Sequence, residues 1–271
     1  MKVLVNALPK SGTNLLQKLM ELLDLKYDKL GIASSLILGN YHFIRQLLRG
    51  GLFEKNPIII GFESPIGVSS KWLNSRLKKI KNGYYISGHV NYSDRFFRIL
   101  QKNEIKTIHI IRDPRSVLIS YANYFCNKKG YYLYNLLKNA SLDEKVEIAL
   151  KGGEFESENL NLESFNECLK KIDGWFHKKN VLIVRFEDLI GEMGGGSKKS
   201  QIETLHRILN FLEIKDNYTE EQIESIALNL YGGTHTYRTG KIDSWKTELS
   251  ENMIEKIEIE LNDFLVKWNY L

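Results

Sequence analysis

The sequence predicts an α/β protein in which a helix-covered sheet of parallel strands forms the core. Three observations carry this. Short, continuous apolar runs of strand length recur along the first two thirds of the chain. Each is followed by apolar residues at helical spacing, and strand–helix alternation implies parallel pairing. The balance of 43% hydrophobic and 26% charged residues over 271 positions is that of an ordinary globular chain, not a disordered, collagen-like or coiled-coil one.

Taken in order, Lys2-Val3-Leu4-Val5-Asn6 reads as the first buried strand. Pro9 to Asn14 is a turn cluster, and Leu15, Leu16, Leu19, Leu22 and Leu23 then recur at helical spacing. Residues 34–49 read as helical. Ile58 to Phe62 is continuously apolar, as expected of a strand buried on both faces. A basic amphipathic helix is expected over 70–80, a strand over 84–87 and a helix over 92–101. Thr107 to Ile111 is the next strand, with a helix from about 114, and Val181 to Val184 is the last clear one. Helices over 200–212, 219–230 and 251–268 make the C-terminal third helical. Ile254, Ile257, Leu261, Phe264, Leu265 and Trp268 mark one face of the last helix. The run Gly194 to Ser200 reads as a flexible exposed loop.

Two cysteines, Cys126 and Cys168, are too few for a disulfide framework and lack the spacing of a zinc site. The net charge of +5 suits an anionic ligand. No apolar run approaches the roughly 20 residues of a membrane span, and the N-terminal stretch is too short for a signal peptide. The expectation is a cytoplasmic protein without stable membrane insertion.

The chemistry concentrates in three places. The loop Lys10-Ser11-Gly12-Thr13-Asn14 leaves a strand and enters a helix, so its free N–H groups converge where the helix N-terminus adds partial positive charge. Gly12 allows close approach, the hydroxyls and amide add donors, and Lys10 adds a full charge. The same residues also read as a plain helix start after a turn. The order departs from G-x-x-x-x-G-K-[ST], because the lysine precedes the glycine. The acids Asp113 and Asp188, each after a strand, are weak metal ligands on this pattern. Second, Arg112 stands at the C-terminal end of a central strand, the edge that carries the ligand crevice in open α/β sheets. Ser120 follows eight residues on, and an Arg with a hydroxyl suits another phosphate; a surface Arg and a self-bonded Ser fit the pattern as well. Third, six histidines (42, 89, 109, 177, 206 and 235) supply candidates for a base near neutral pH.

These segments resemble the sulfotransferases that use 3′-phosphoadenosine 5′-phosphosulfate (PAPS). The resemblance rests on Pro9 to Asn14, on Arg112 followed by Ser120-Tyr121, and on Arg238-Thr239-Gly240 followed by Trp245-Lys246, in the family's order. Val184 to Leu189 also looks like the family's strand ending in aromatic-Glu-Asp. The resemblance implies a P-loop NTPase-like parallel sheet flanked by helices on both sides, in one domain over residues 1–271. It implies that Lys10, Ser11, Gly12, Thr13 and Asn14 hold the 5′-phosphosulfate. Arg112 and Ser120 would hold the 3′-phosphate, and Arg238, Thr239 and Gly240 would close over it, with no metal required. His89 matches the family's catalytic histidine. Two segments depart from the pattern: Ser87-Gly88 replace Lys-Thr before that histidine, and Thr239 replaces a lysine. Glu63, in Phe62-Glu63-Ser64, resembles the base of glycan-modifying members and ranks second to His89.

The aromatic residues Tyr121, Tyr124, Phe125, Tyr131, Tyr132 and Tyr134 are candidates for an acceptor pocket and, equally, for core. The acceptor is expected to be a small molecule or glycan, and nucleic acid is not an expected partner. Oligomeric state is not legible. A P-loop kinase using ATP and Mg²⁺, and a non-catalytic nucleotide-binding protein, are the alternatives.

Overall fold

A computed structural model describes residues 1–28, 47–62, 65–127, 133–155, 160–232 and 241–271. At its centre is strand β1 (Lys2–Ala7), bonded in parallel on both sides. With β2 (Lys26–Tyr27), β5 (Tyr84–Gly88), β6 (Ile105–Ile111) and β9 (Val181–Arg185) it forms a five-stranded sheet of order β2-β5-β1-β6-β9, parallel throughout. The predicted parallel α/β architecture is therefore present.

Successive side chains of a strand point to opposite faces, and the two faces meet different helices. Val3, Val5 and Ala7 of β1 join Ile108 and Ile110 of β6 in one apolar layer. That layer is covered by α1 (Thr13–Leu22) and by the long helices Lys198–Leu212 and Glu220–Leu230. Leu4, Ile86 and Ile111 face the other layer. Its cover includes α2 (Ser70–Leu77), α3 (Asp94–Lys102), α4 (Pro114–Asn127) and the last helix, Glu251–Lys267. Ile257, Leu261, Phe264, Leu265 and Trp268 of that helix are buried, as their spacing predicts.

Three expectations are corrected or extended. Ile58–Ile60 is β3 of a separate antiparallel hairpin with β4 (Ile66–Val68), not a strand of the central sheet, and Ile59 is 41% exposed. A continuous apolar run does not by itself say which sheet it joins. A second hairpin, β7 (Gly153–Phe155) with β8 (Leu160–Leu162), had no clear sequence signal. The glycine-rich run is not a flexible loop. Glu192–Gly194 is a 3₁₀ turn, Gly196 N–H donates to Gly191 O at 2.9 Å, and Ser197 caps the next helix. Gly194 O also accepts from Ile242 N–H at 2.9 Å, so the turn braces a distant segment. The helix expected over 34–49 lies mostly outside the described residues.

The loop after β6 is tied to the C-terminus by a buried arginine. Arg115 donates to both oxygens of Asp113, to Glu258 Oε1 at 2.6 Å and to Tyr270 O at 2.8 Å. Its guanidinium lies 3.9 Å from the Trp245 ring centre. Removing one member of a buried pair strands the other charge, at a cost of about 3–5 kcal/mol. Arg115→Ala should therefore lose stability of that order in urea unfolding. Glu258→Gln, at a partly exposed position, should cost far less; equal losses would contradict this view of the cluster.

Candidate functional site

The C-terminal ends of β5, β1, β6 and β9 lie side by side, and each is followed by a candidate group. His89 follows β5, the 8–12 loop follows β1, Arg112 follows β6 and Phe186 follows β9. Sheet order alone thus sets His89, the loop, Arg112 and Phe186 in a row along one edge, where open α/β sheets bind ligands.

In the loop, Lys10 and Gly12 have φ of 70° and 111°. The left-handed conformation at Gly12 is unfavourable for other residues. There is also no room there: a Cβ would lie 2.7 Å from Phe186 Cδ2 and 3.0 Å from Ile110 Cδ1. Helices beginning after Ser69, Ser93, Ser164, Ser197 and Ser250 have that side chain as cap. The first helix starts after Gly12 with no side-chain cap bond. Thr13 Oγ1 is buried and has no hydrogen-bond partner among the described residues. An uncapped N-terminus, an unused hydroxyl and the Lys10 charge together fit a phosphate-like group.

Lys10 Nζ sits 4.1 Å from the centre of the Tyr124 ring. Ser120 precedes Tyr124 by four residues in α4, so the two share a helix face. Arg112 stacks on Phe186, 4.3 Å from its ring centre, and Phe186 also closes on Gly12. This aromatic residue couples the first two motifs. Arg112 Nη2 donates to Lys241 O at 3.0 Å, which brings the third segment alongside. Arg238, Thr239 and Gly240 themselves lie outside the described residues. The structure thus joins the loop, through Gly12, to Phe186 and Arg112, and through Lys10 to Tyr124.

His89 is half-buried, and its Nδ1 lies 2.8 Å from Ala7 O. A carbonyl only accepts, so Nδ1 carries the proton and the neutral ring keeps a lone pair on Nε2. Burial pushes its pKa below the ordinary 6.5, and the nearby Lys10 charge pushes the same way, against the Ala7 bond. Both effects favour the neutral form of the ring. Glu63 lies outside the described residues, as do His42 and His235. Two residues before Glu63, Gly61 N–H donates to His89 O at 2.9 Å. Of the other histidines, His206 is 3.1 Å from Glu220, His177 lies in a turn and His109 is fully buried.

Asp113, one of the two acids weighed as a metal ligand, is held by Arg115. Among the described residues no group of three His, Cys, Asp or Glu could hold a metal ion. Tyr121 is buried core, Tyr124 belongs to the site, and Tyr131 and Tyr132 lie outside the described residues.

Sequence reasoning missed the support beneath Arg112. Glu187 Oε1 accepts from Asp113 N–H at 2.9 Å, and Glu187 Oε2 accepts from Tyr270 O–H at 2.8 Å. Burial raises the Glu187 pKa, while its hydrogen bonds and Arg112 act the other way. The Phe186-Glu187-Asp188 segment was a signal for Glu187. Tyr270 gave none, because its partners are remote in sequence.

Comparison with known proteins agrees with this geometry. A family model described as a sulfotransferase domain matches residues 1–260. Sulfotransferase 2A1 of Rattus norvegicus is 23% identical over 270 residues, covering 93% of this chain and 80% of that protein. A mouse sulfotransferase, SULT7A1, complexed with PAP superposes with a TM-score of 0.61 at 16% identity, over 97% of this chain and 84% of that one. Retinol dehydratase in complex with androsterone and the inactive cofactor PAP gives 0.59 at 19% identity, over 97% and 80%. With the family model covering nearly the whole length, and with the 8–12 loop and Arg112 on one sheet edge, this chain belongs to the sulfotransferase family.

Proposed function

We propose that the chain is one PAPS-dependent sulfotransferase domain that transfers a sulfuryl group to an acceptor hydroxyl, with His89 as the base. The observation that carries the reading is the uncapped, donor-lined loop between His89 on one side and Arg112 on the other. The PAP in the related structures supports the same nucleotide here. Bound there, PAPS supplies the sulfuryl group: the acceptor oxygen bonds to sulfur, and the electron pair of the cleaved S–O bond stays on the 5′-phosphate.

The chain's own groups do the rest. His89 Nε2 takes the proton of the acceptor hydroxyl, and its Nδ1–H stays on Ala7 O. Lys10 and the first-turn N–H groups stabilise charge on the leaving phosphate. Arg112 and Ser120 hold the 3′-phosphate, with Arg238, Thr239 and Gly240 closing over it. The acceptor is a small hydroxyl compound, in keeping with the androsterone and retinol of the related structures; a glycan is the alternative. Glu63 is the second candidate base, favoured by the bond between Gly61 and His89 just before it.

A charge-assisted hydrogen bond contributes about 1.5–3 kcal/mol. Arg112→Ala should weaken adenosine 3′,5′-bisphosphate about tenfold or more in calorimetry, at about 1.4 kcal/mol per decade. Adenosine 5′-phosphate should be almost unaffected, and equal losses for both would remove the 3′-phosphate assignment.

Turnover should persist in EDTA, because Lys10 and backbone donors occupy the role of a divalent cation. Loss of activity on chelation, restored by Mg²⁺, would favour a kinase.

His89→Ala should lower kcat roughly 10²–10⁴-fold with nucleotide affinity nearly unchanged, and Glu63→Gln should be milder. Because the pKa of His89 in the ligand-free chain lies below 6.5, kcat/KM should rise with pH through a step below that value. Single-turnover measurement keeps product release from masking the loss. If His89→Ala retains its chemistry while Glu63→Gln abolishes it, the base is Glu63.

A further inference from the structure

One buried imidazole has no part in this mechanism. His109 lies in the middle of the sheet, on β6, and is 0% exposed. Its Nε2 is buried with no hydrogen-bond partner among the described residues, and its ring stacks on Trp175 at 6.2 Å with the planes 24° apart. Its Nδ1 is 3.0 Å from the amide nitrogen of Asn6, which is also fully buried.

The Asn6 amide is fixed by its other partners. Its Oδ1 accepts from Val90 N–H at 2.9 Å, and its Nδ2 donates to Val90 O at 3.0 Å. Only one amide orientation satisfies both, so Nδ2 also faces His109 as a donor, and His109 Nδ1 must accept. The β1–β5 ladder ends at Asn6↔Gly88, directly before His89. Beyond that point a side chain takes over from the ladder. The peptide joining His89 to Val90 is held at its oxygen by Gly61 N–H and at its N–H by Asn6. Val90 O takes a second donor, Trp175 Nε1, at 3.1 Å.

We infer that Asn6 and His109 are positioning residues for His89: the Asn6 amide, oriented by His109, clamps the backbone after His89 and so keeps its Nδ1–H on Ala7 and its Nε2 unprotonated. This rests on the reading of His89 as the base. The clamp requires a neutral His109, because a cation would present Nδ1–H to the Asn6 donor. Burial, aided by the charge of His89, pushes the His109 pKa down to about 3, so the ring stays an acceptor throughout the working range. The charge that in turn acts on His89 is that of Lys10.

The test is imidazole ¹⁵N NMR of the ligand-free protein, with calorimetry of adenosine 3′,5′-bisphosphate as the control for folding. Wild-type His89 should be a single neutral tautomer, protonated at Nδ1, titrating below 6.5. Asn6→Ala should populate both tautomers and move the midpoint toward 6.5, with nucleotide affinity changed less than about threefold. His109→Phe keeps a ring on Trp175 and removes the acceptor; it should shift the spectra the same way by less. Should Asn6→Ala fail to bind nucleotide, His109→Phe decides alone. Wild-type tautomer and midpoint in the folded variants would overturn the inference. Intact single-turnover chemistry in His89→Ala would instead remove the base reading, and the tautomer spectra would still decide the clamp.

Discussion

Strand β1 is hydrogen-bonded on both sides, with Asn6 opposite Gly88 and Ala7 opposite Ile110, and this double pairing fixes where everything else can stand. A parallel strand buried between two others cannot slip by one residue without turning its apolar side chains to the wrong layer. The ends of β5, β1 and β6 are therefore held level. His89, the 8–12 loop and Arg112 emerge together at that edge because the ladder is in register, before any side-chain contact among them is considered. Gly12 adds the local half of the constraint: its missing side chain lets Phe186 close on the loop, and Phe186 carries Arg112.

Polar groups behind the edge are satisfied pair by pair, which makes the edge rigid. Asn6 holds Val90, Glu187 holds Asp113, and Arg115 joins Asp113 to the chain's last turn. Buried polar groups are costly unless paired, so each network tolerates few alternative arrangements. Among the described residues the Thr13 hydroxyl has no hydrogen-bond partner, and the first helix has no side-chain cap, as His109 Nε2 behind the edge has no partner either. In the proposed reaction the Thr13 hydroxyl and the first-turn N–H groups await an anion. The lowered pKa of the half-buried His89 follows from the same economy of water: desolvation disfavours the charged imidazole, and the neighbouring Lys10 charge acts the same way.

Several features were legible in the chain itself. Runs such as Val3-Leu4-Val5 and Ile108 to Ile111 could only be buried strands, and their alternation with helical periods implied parallel pairing. The segments at Lys10 to Asn14 and at Arg112 to Ser120 stand within short stretches of sequence, because a strand end, a turn and a helix start are local features. The sequence by itself therefore determined the α/β class, and it placed the loop after β1 and the arginine beyond β6 at strand ends. It did not determine the partner of Ile58 to Ile60, because a run of three isoleucines suits an edge hairpin as well as a central strand. Nor did it reveal that the glycines at 194–196 form a brace.

What only the tertiary structure decided lies across long separations. Asn6 meets Val90 and His109, Glu187 meets Asp113, and Tyr270 meets Glu187. None of these pairs is set by helix or strand periodicity, since each joins residues more than 70 positions apart. The protonated nitrogen of His89 is of the same kind: it depends on a carbonyl 82 residues away. Local propensity fixes which residues form an element; sheet order and packing decide which remote groups share one buried volume, and in that volume desolvation and hydrogen bonding set their charge and direction.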